Sequence, residues 1–223
     1  MNTKAESSGL AHDFIRIHKA ITRGLTVSIT RGSEFISNGF PDPGLQKGFV
    51  VFLQTLIASI SAHHLGEDEV AFPALKQRLS DVPFGRLEAD HLLIQSKLEW
   101  IKSALPELHG SESAAALVNV IDSLKEILAV WTPHIEAEEL AFSAAAFAEV
   151  MTPDEQVRLA ADVSKYSQEH GGPPFYALPF VLFNLPPADR ADMSRKIPQT
   201  VLEELILGEW KDQWAPMKPF LLD

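Results

Sequence analysis

The stretch HHLGEDEVAFP, residues His63 to Pro73, decides how this chain is read. His63 and Glu67 continue a run of Leu53, Leu56, Ile60 and Val70 in alternating steps of three and four. That rhythm is the buried stripe of an amphipathic helix. A histidine and a glutamate therefore stand one turn apart on the face that apolar residues occupy. The stretch HIEAEELAF, His134 to Phe142, repeats the arrangement along Leu124, Ile127, Trp131, His134, Glu138 and Ala141. Two further stripes carry one histidine each: His18 among Phe14, Ile21 and Leu25, and His91 among Leu87, Ile94, Leu98, Ile101 and Leu105.

Breaks are expected at Gly32–Gly44, which holds Asn38-Gly39, Pro41 and Pro43, at Ser80–Gly85 around Pro83, and at Pro106–Gly110. Four amphipathic helices with such connections predict an all-α fold, an antiparallel four-helix bundle over residues 1–149. Pro73 and Pro133 each lack an amide donor and should end, start or kink a helix. Thr152-Pro153-Asp154-Glu155 reads as a capped helix start, with that helix running to about Glu169 and stopping at Gly171-Gly172-Pro173-Pro174. Short helical stretches are expected around Ala188–Lys196 and Thr200–Glu209. Residues 150–223 thus read as a C-terminal helical extension, too rich in Trp, Phe and Leu for a free linker, with Trp210 and Trp214 docking it.

Composition narrows the chemistry. The chain has 223 residues, 46% of them hydrophobic, with 19 Lys and Arg against 30 Asp and Glu, a net charge of -11. An acidic balance argues against a nucleic-acid or anionic-membrane partner. There is no cysteine, so thiolate sites, disulfides and thiol nucleophiles are excluded. The first thirty residues hold no uninterrupted apolar stretch, and the run Phe175–Leu185 is too short to span a bilayer. The expectation is a soluble, cytoplasmic protein.

The in-phase polar residues need an explanation. Burying an unpaired carboxylate costs several kcal/mol, and two would lie beside four imidazoles. Apolar side chains would fill a bundle at lower cost. A pair of divalent cations neutralises both carboxylates and uses the imidazole lone pairs, and His and Glu ligands suit iron, zinc or manganese. The candidate metal ligands are His18, His63, Glu67, His91, His134 and Glu138.

With these residues quoted, the two His-x-x-x-Glu segments, including Phe72-Pro73 after the first, resemble those of hemerythrin-like, HHE cation-binding domains over roughly residues 10–147. The resemblance implies an up-down four-helix bundle around two non-haem iron ions with an oxo or hydroxo bridge, zinc or manganese being the alternatives. It implies a protein that binds or senses a small diatomic ligand (oxygen, nitric oxide) or peroxide, or responds to iron. A di-metal oxidase or peroxide-consuming enzyme is the alternative. It also favours His63 over His64, which pairs with Asp68 in a second register and otherwise belongs behind the ligands or at the bundle edge. Oxygen-carrying members have a fifth histidine one turn after the third-helix ligand, where this chain has Gln95. Glu139 is an alternative to Glu138 or its supporting partner, and His170 a candidate for the missing ligand.

Blander assignments cover the rest. His12 and His109 are expected at the surface, Asp68, Glu69 and Glu136 on a solvated acidic face, and Trp100 and Trp131 in the core.

Overall fold

The computed structural model describes residues 9–109 and 113–222, and all regular structure among them is helical. Helix α1 spans Leu10–Asn38, running through Gly32 where a break was expected. Gly32 is buried instead at a close helix crossing, where a Cβ would meet Ile121 Cδ1 at 2.1 Å. The break falls at Gly39–Asp42, and the Asp42 side chain accepts from Leu45 N–H to start α2, Pro43–Gly66.

Pro73 does not end this helix but changes its winding. With no N–H at position 73, the helix widens into a π-helical turn over Glu67–Ala71, in which Phe72 N–H reaches back to Glu67 O. A short α3, Phe72–Leu75, completes the rod. Helix α4 is Phe84–Ala104, followed by a 3-10 turn at Leu105–His109; Gly110, the expected close of that segment, lies outside the described residues. Helix α5, Ser113–Ala141, carries Pro133 in its interior, so that proline neither ends nor starts a helix.

Helix α1 packs against α2 and α5, and α4 packs against the same two, so the four long helices close a ring of contacts. Inside it lies one apolar cluster that includes Leu25, Phe49, Leu53, Leu98, Leu124 and Trp131, and a second that includes Phe14, Phe72, Phe84, Phe142 and Phe147. The stretch Pro43–Leu75 is long and apolar enough to cross a membrane, but most of it is buried inside the protein. Trp100 departs from expectation: it is 44% exposed, because its helix turns that position outward.

Beyond α5 come α6 (Ala144–Val150), α7 (Pro153–His170), α8 (Pro174–Asn184) and α9 (Pro187–Ser194). Helix α7 has the expected capping box between Thr152 and Glu155. The expected stretch at 200–209 is a π-helical segment, Val201–Glu209, followed by α10 (Lys211–Trp214) and a 3-10 turn, Ala215–Phe220. Helix α8 was not expected from its sequence, since Pro179 lies inside it. Its Phe180 joins Trp214, Met217 and Phe220 in the first apolar cluster, so the C-terminal segment shares the core of the ring. Ion pairs fasten α9 to α1: Arg16–Asp192 at 3.2 Å and Lys19–Asp189 at 2.8 Å.

Gly48 lies close against this segment, a Cβ there meeting Pro216 O at 2.1 Å. Backbone cannot swing aside as a side chain does. Gly48→Ala should therefore cost about 1–3 kcal/mol in chemical denaturation, whereas Gly85→Ala, with nothing within 4 Å, should cost nothing. Equal stability of the two variants would contradict this docking.

Candidate metal centre

The polar residues of the stripes form one layer between the two apolar clusters. His18 lies between Phe14 and Ile21, His91 between Leu87 and Ile94, and His134 and Glu138 between Trp131 and Phe142. His63, His64 and Glu67 lie between Ile60 and Ala71, so each of the four long helices crosses from one cluster to the other at this level. All six expected ligands are buried, and so is His64; none is more than 6% exposed.

Their ligand atoms form two groups, each with its members within 4.8 Å of one another: His64, Glu67, His91 and His134, and His18, His63, Glu67 and Glu138. Glu67 belongs to both. Its Oε1 is 3.5 Å from His63 Nε2 and its Oε2 is 3.5 Å from His91 Nε2. Glu138 also spans the layer, with Oε2 3.3 Å from His18 Nε2 and Oε1 3.4 Å from His134 Nε2.

Carboxylates on the outside orient the rings. His18 Nδ1 lies 3.0 Å from Glu139 Oε1 and His91 Nδ1 lies 2.8 Å from Asp68 Oδ1. Asp90 Oδ2 stands at ion-pair distance, 3.6 Å, from His134 Nδ1. An Nδ1–H donated outward leaves the Nε2 lone pair directed inward, the tautomer that ligates a cation. His91 Nε2 and His134 Nε2 then face each other at 3.1 Å. Two lone pairs at that distance repel unless one nitrogen is protonated or a cation lies between them.

Several buried atoms of the layer have no hydrogen-bond partner among the described residues: both oxygens of Glu67 and Glu138, both ring nitrogens of His64, and Nε2 of His18 and His63. Each buried polar atom left unpaired costs about 1–3 kcal/mol, and more when charged. A set of inward carboxylate oxygens and imidazole nitrogens is what divalent cations of intermediate softness take. The residues fit a metal centre.

Protonation shows how the layer stands without cations. Burial and the nearby charge of Glu138 push Glu67 well above the usual carboxylate range. Burial opposes charge on Glu138 too, but His18 and His91 outweigh it and hold its pKa down. Burial likewise works against the imidazolium forms of His18 and His91, yet their paired carboxylates keep both pKa values raised. His63 and His64 are pushed well below the ordinary value, by burial first and then by neighbouring imidazoles. Burial also lowers His134.

A family model for the hemerythrin HHE cation-binding domain matches residues 10–146. The chain belongs to that family. It is a metal-binding helical protein, and the resemblance read from the two His-x-x-x-Glu segments is borne out. Comparison with curated proteins and with solved structures gave no match.

In this hemerythrin-domain protein the structure adds residues that periodicity did not supply. His64 is buried, its ring stacked on His91 with centroids 4.0 Å apart, because the layer takes in both histidines at the end of α2. Asp68 is not simply solvated, since it bonds His91 across helices. Trp131 is core, as expected. Its ring lies against His18, His63 and His64 at 5.7–5.8 Å, and its Nε1–H donates to Thr22 Oγ1. Gln95 bonds Ser61 and Glu99. His170 is exposed, with Nδ1 donating to Tyr166 O, and it joins neither group. His12 is half-buried and His109 exposed.

Asp68→Ala should loosen the His91 ring and lower metal affinity about 10–100-fold, while His109→Ala changes nothing; competition with a chelator measures both. Acid should act on the same layer. The depressed folded pKa values of His63, His64 and His134 mean that their contribution to stability is present above the unfolded value, about 6.5. It is lost as pH falls through the folded values. Bound metal and helical circular dichroism should disappear together below about pH 5.5. Metal loss from a protein that stays folded several tenths of a pH unit lower would contradict this.

Proposed function

We propose that residues 1–149, as an antiparallel four-helix bundle, hold two iron ions, and that residues 150–223 are an extension packed on it. The carrying observation is that Glu67 belongs to both ligand groups, one oxygen toward each. A shared carboxylate supports a pair of ions rather than one. His64, His91 and His134 serve one ion, and His18, His63 and Glu138 the other. His64 brings the set to five imidazoles, supplied from α2 rather than from position 95 on α4.

An iron pair supplies reversible redox change and open coordination positions for a small ligand. The chain's part is to hold the imidazoles in the ligating tautomer, exclude water with Trp131 and the two apolar clusters, and keep two carboxylates buried. The function we assign is binding or sensing of oxygen, nitric oxide or peroxide, or a response to iron. A cavity reaching His63 favours a second reading, a di-metal oxidase or peroxide-consuming enzyme, in which a molecule other than oxygen approaches the centre.

Protein produced with ample iron should contain close to two iron ions per chain by elemental analysis. Glu67→Ala should lower the content of both sites, whereas His63→Ala should lower only one. A single metal per chain in the unaltered protein, or zinc that iron cannot replace, would overturn the di-iron reading.

A further inference from the structure

One feature that the metal layer leaves unexplained is a cavity of about 350 Å³ between the ring of helices and the C-terminal segment. One wall is formed by Phe14, Ile17 and His63, the other by Val163, Leu178 and Ile197. The second wall comes from residues beyond the family match, which ends at residue 146. His63, on the cavity wall, is also the most exposed member of the metal layer, at 6%. The cavity thus reaches the edge of the candidate centre through one imidazole.

Its chemistry is legible from the lining. The walls are mainly aliphatic and aromatic. The charged side chains beside it are already matched to one another: Asp13 pairs with Arg16 at 3.0 Å and with Lys196 at 2.6 Å, and Arg16 also pairs with Asp192 at 3.2 Å. Two cations and two carboxylates cancel, so no net charge is presented to a charged guest. The nearby hydroxyls of Ser59 and Ser167 donate to backbone carbonyls. An apolar cavity of roughly 150 Å³ takes up benzene, so this one has room for a molecule about twice that size.

We propose that this cavity binds an uncharged, apolar organic molecule of two to three rings, held between the bundle and the extension with one edge against His63. Binding itself depends only on the cavity. That the guest then lies beside a metal centre rests on the di-iron reading, which would make it the substrate, or a modulator, of that centre. The extension is accordingly half of a binding site as well as a packing element.

The test uses the full chain and the fluorescent probe N-phenyl-1-naphthylamine, with and without iron. Saturable, one-to-one binding to both forms is expected. Ala177→Phe and, at the rim, Ser164→Phe should each weaken it at least tenfold, with thermal unfolding and metal content unchanged. Two cavity-filling variants guard against one that fails to fold. Leu92→Ser, at an exposed apolar residue elsewhere, should leave binding as it is. Non-saturable binding, or binding weakened by Leu92→Ser and not by the filling variants, would overturn the proposal. In the iron form the probe should also alter the visible spectrum, and Ala177→Phe should abolish that change. Probe binding to a protein that takes up no iron supports the cavity and sinks only the metal reading.

Discussion

Glu67 imposes the constraint on which the rest of this structure depends. Its carboxyl group is fully buried, has no hydrogen-bond partner among the described residues, and sits between two sets of imidazoles. Burial alone would drive it to the neutral acid, and an aliphatic side chain would fill the space at lower cost. Glu138 lies in the same layer and finds its counter-charge in His18 and His91. The layer has too many inward acceptors for the donors present, an imbalance that divalent cations correct.

The surrounding structure serves that layer. Pro73 widens the helix over Glu67–Ala71, and within this turn Glu67 enters the core while Asp68 reaches His91 on the neighbouring helix. Outer carboxylates fix the ring tautomers of His18 and His91, and apolar clusters above and below the layer keep water from competing for the inward lone pairs. The C-terminal segment contributes Phe180, Met217 and Phe220 to one cluster and, through α7 to α9, lines one side of the cavity at His63. Folding and site formation are therefore coupled: the candidate ligands come from four helices that meet only when both cores are packed.

What could be read in the sequence follows from which interactions are local. The helical stripes, the Thr152 cap and the in-phase placement of His18, His63, Glu67, His91, His134 and Glu138 are relations within one helix, and periodicity exposes them. The partnerships of Asp68 with His91 and of Asp90 with His134 cross between helices, so no spacing within one helix reveals them. His64 was obscured by an ideal helical repeat, which turns only one of two adjacent histidines inward. Gly32 and Pro179 look like breakers by composition, but one is a site of close helix contact and the other is tolerated inside α8. Trp100 reads as core by residue type alone, but its position on α4 turns it outward.

The central claim is that cations take the place of a proton on Glu67. Difference infrared spectroscopy of the metal-free and iron-loaded protein at neutral pH tests it most directly. The metal-free form should show the carbonyl stretch of a protonated carboxylic acid, absent from Glu67→Gln, and iron should abolish that band while the carboxylate bands grow. A metal-free protein without the band, or a band that persists after two ions are bound, would contradict the account.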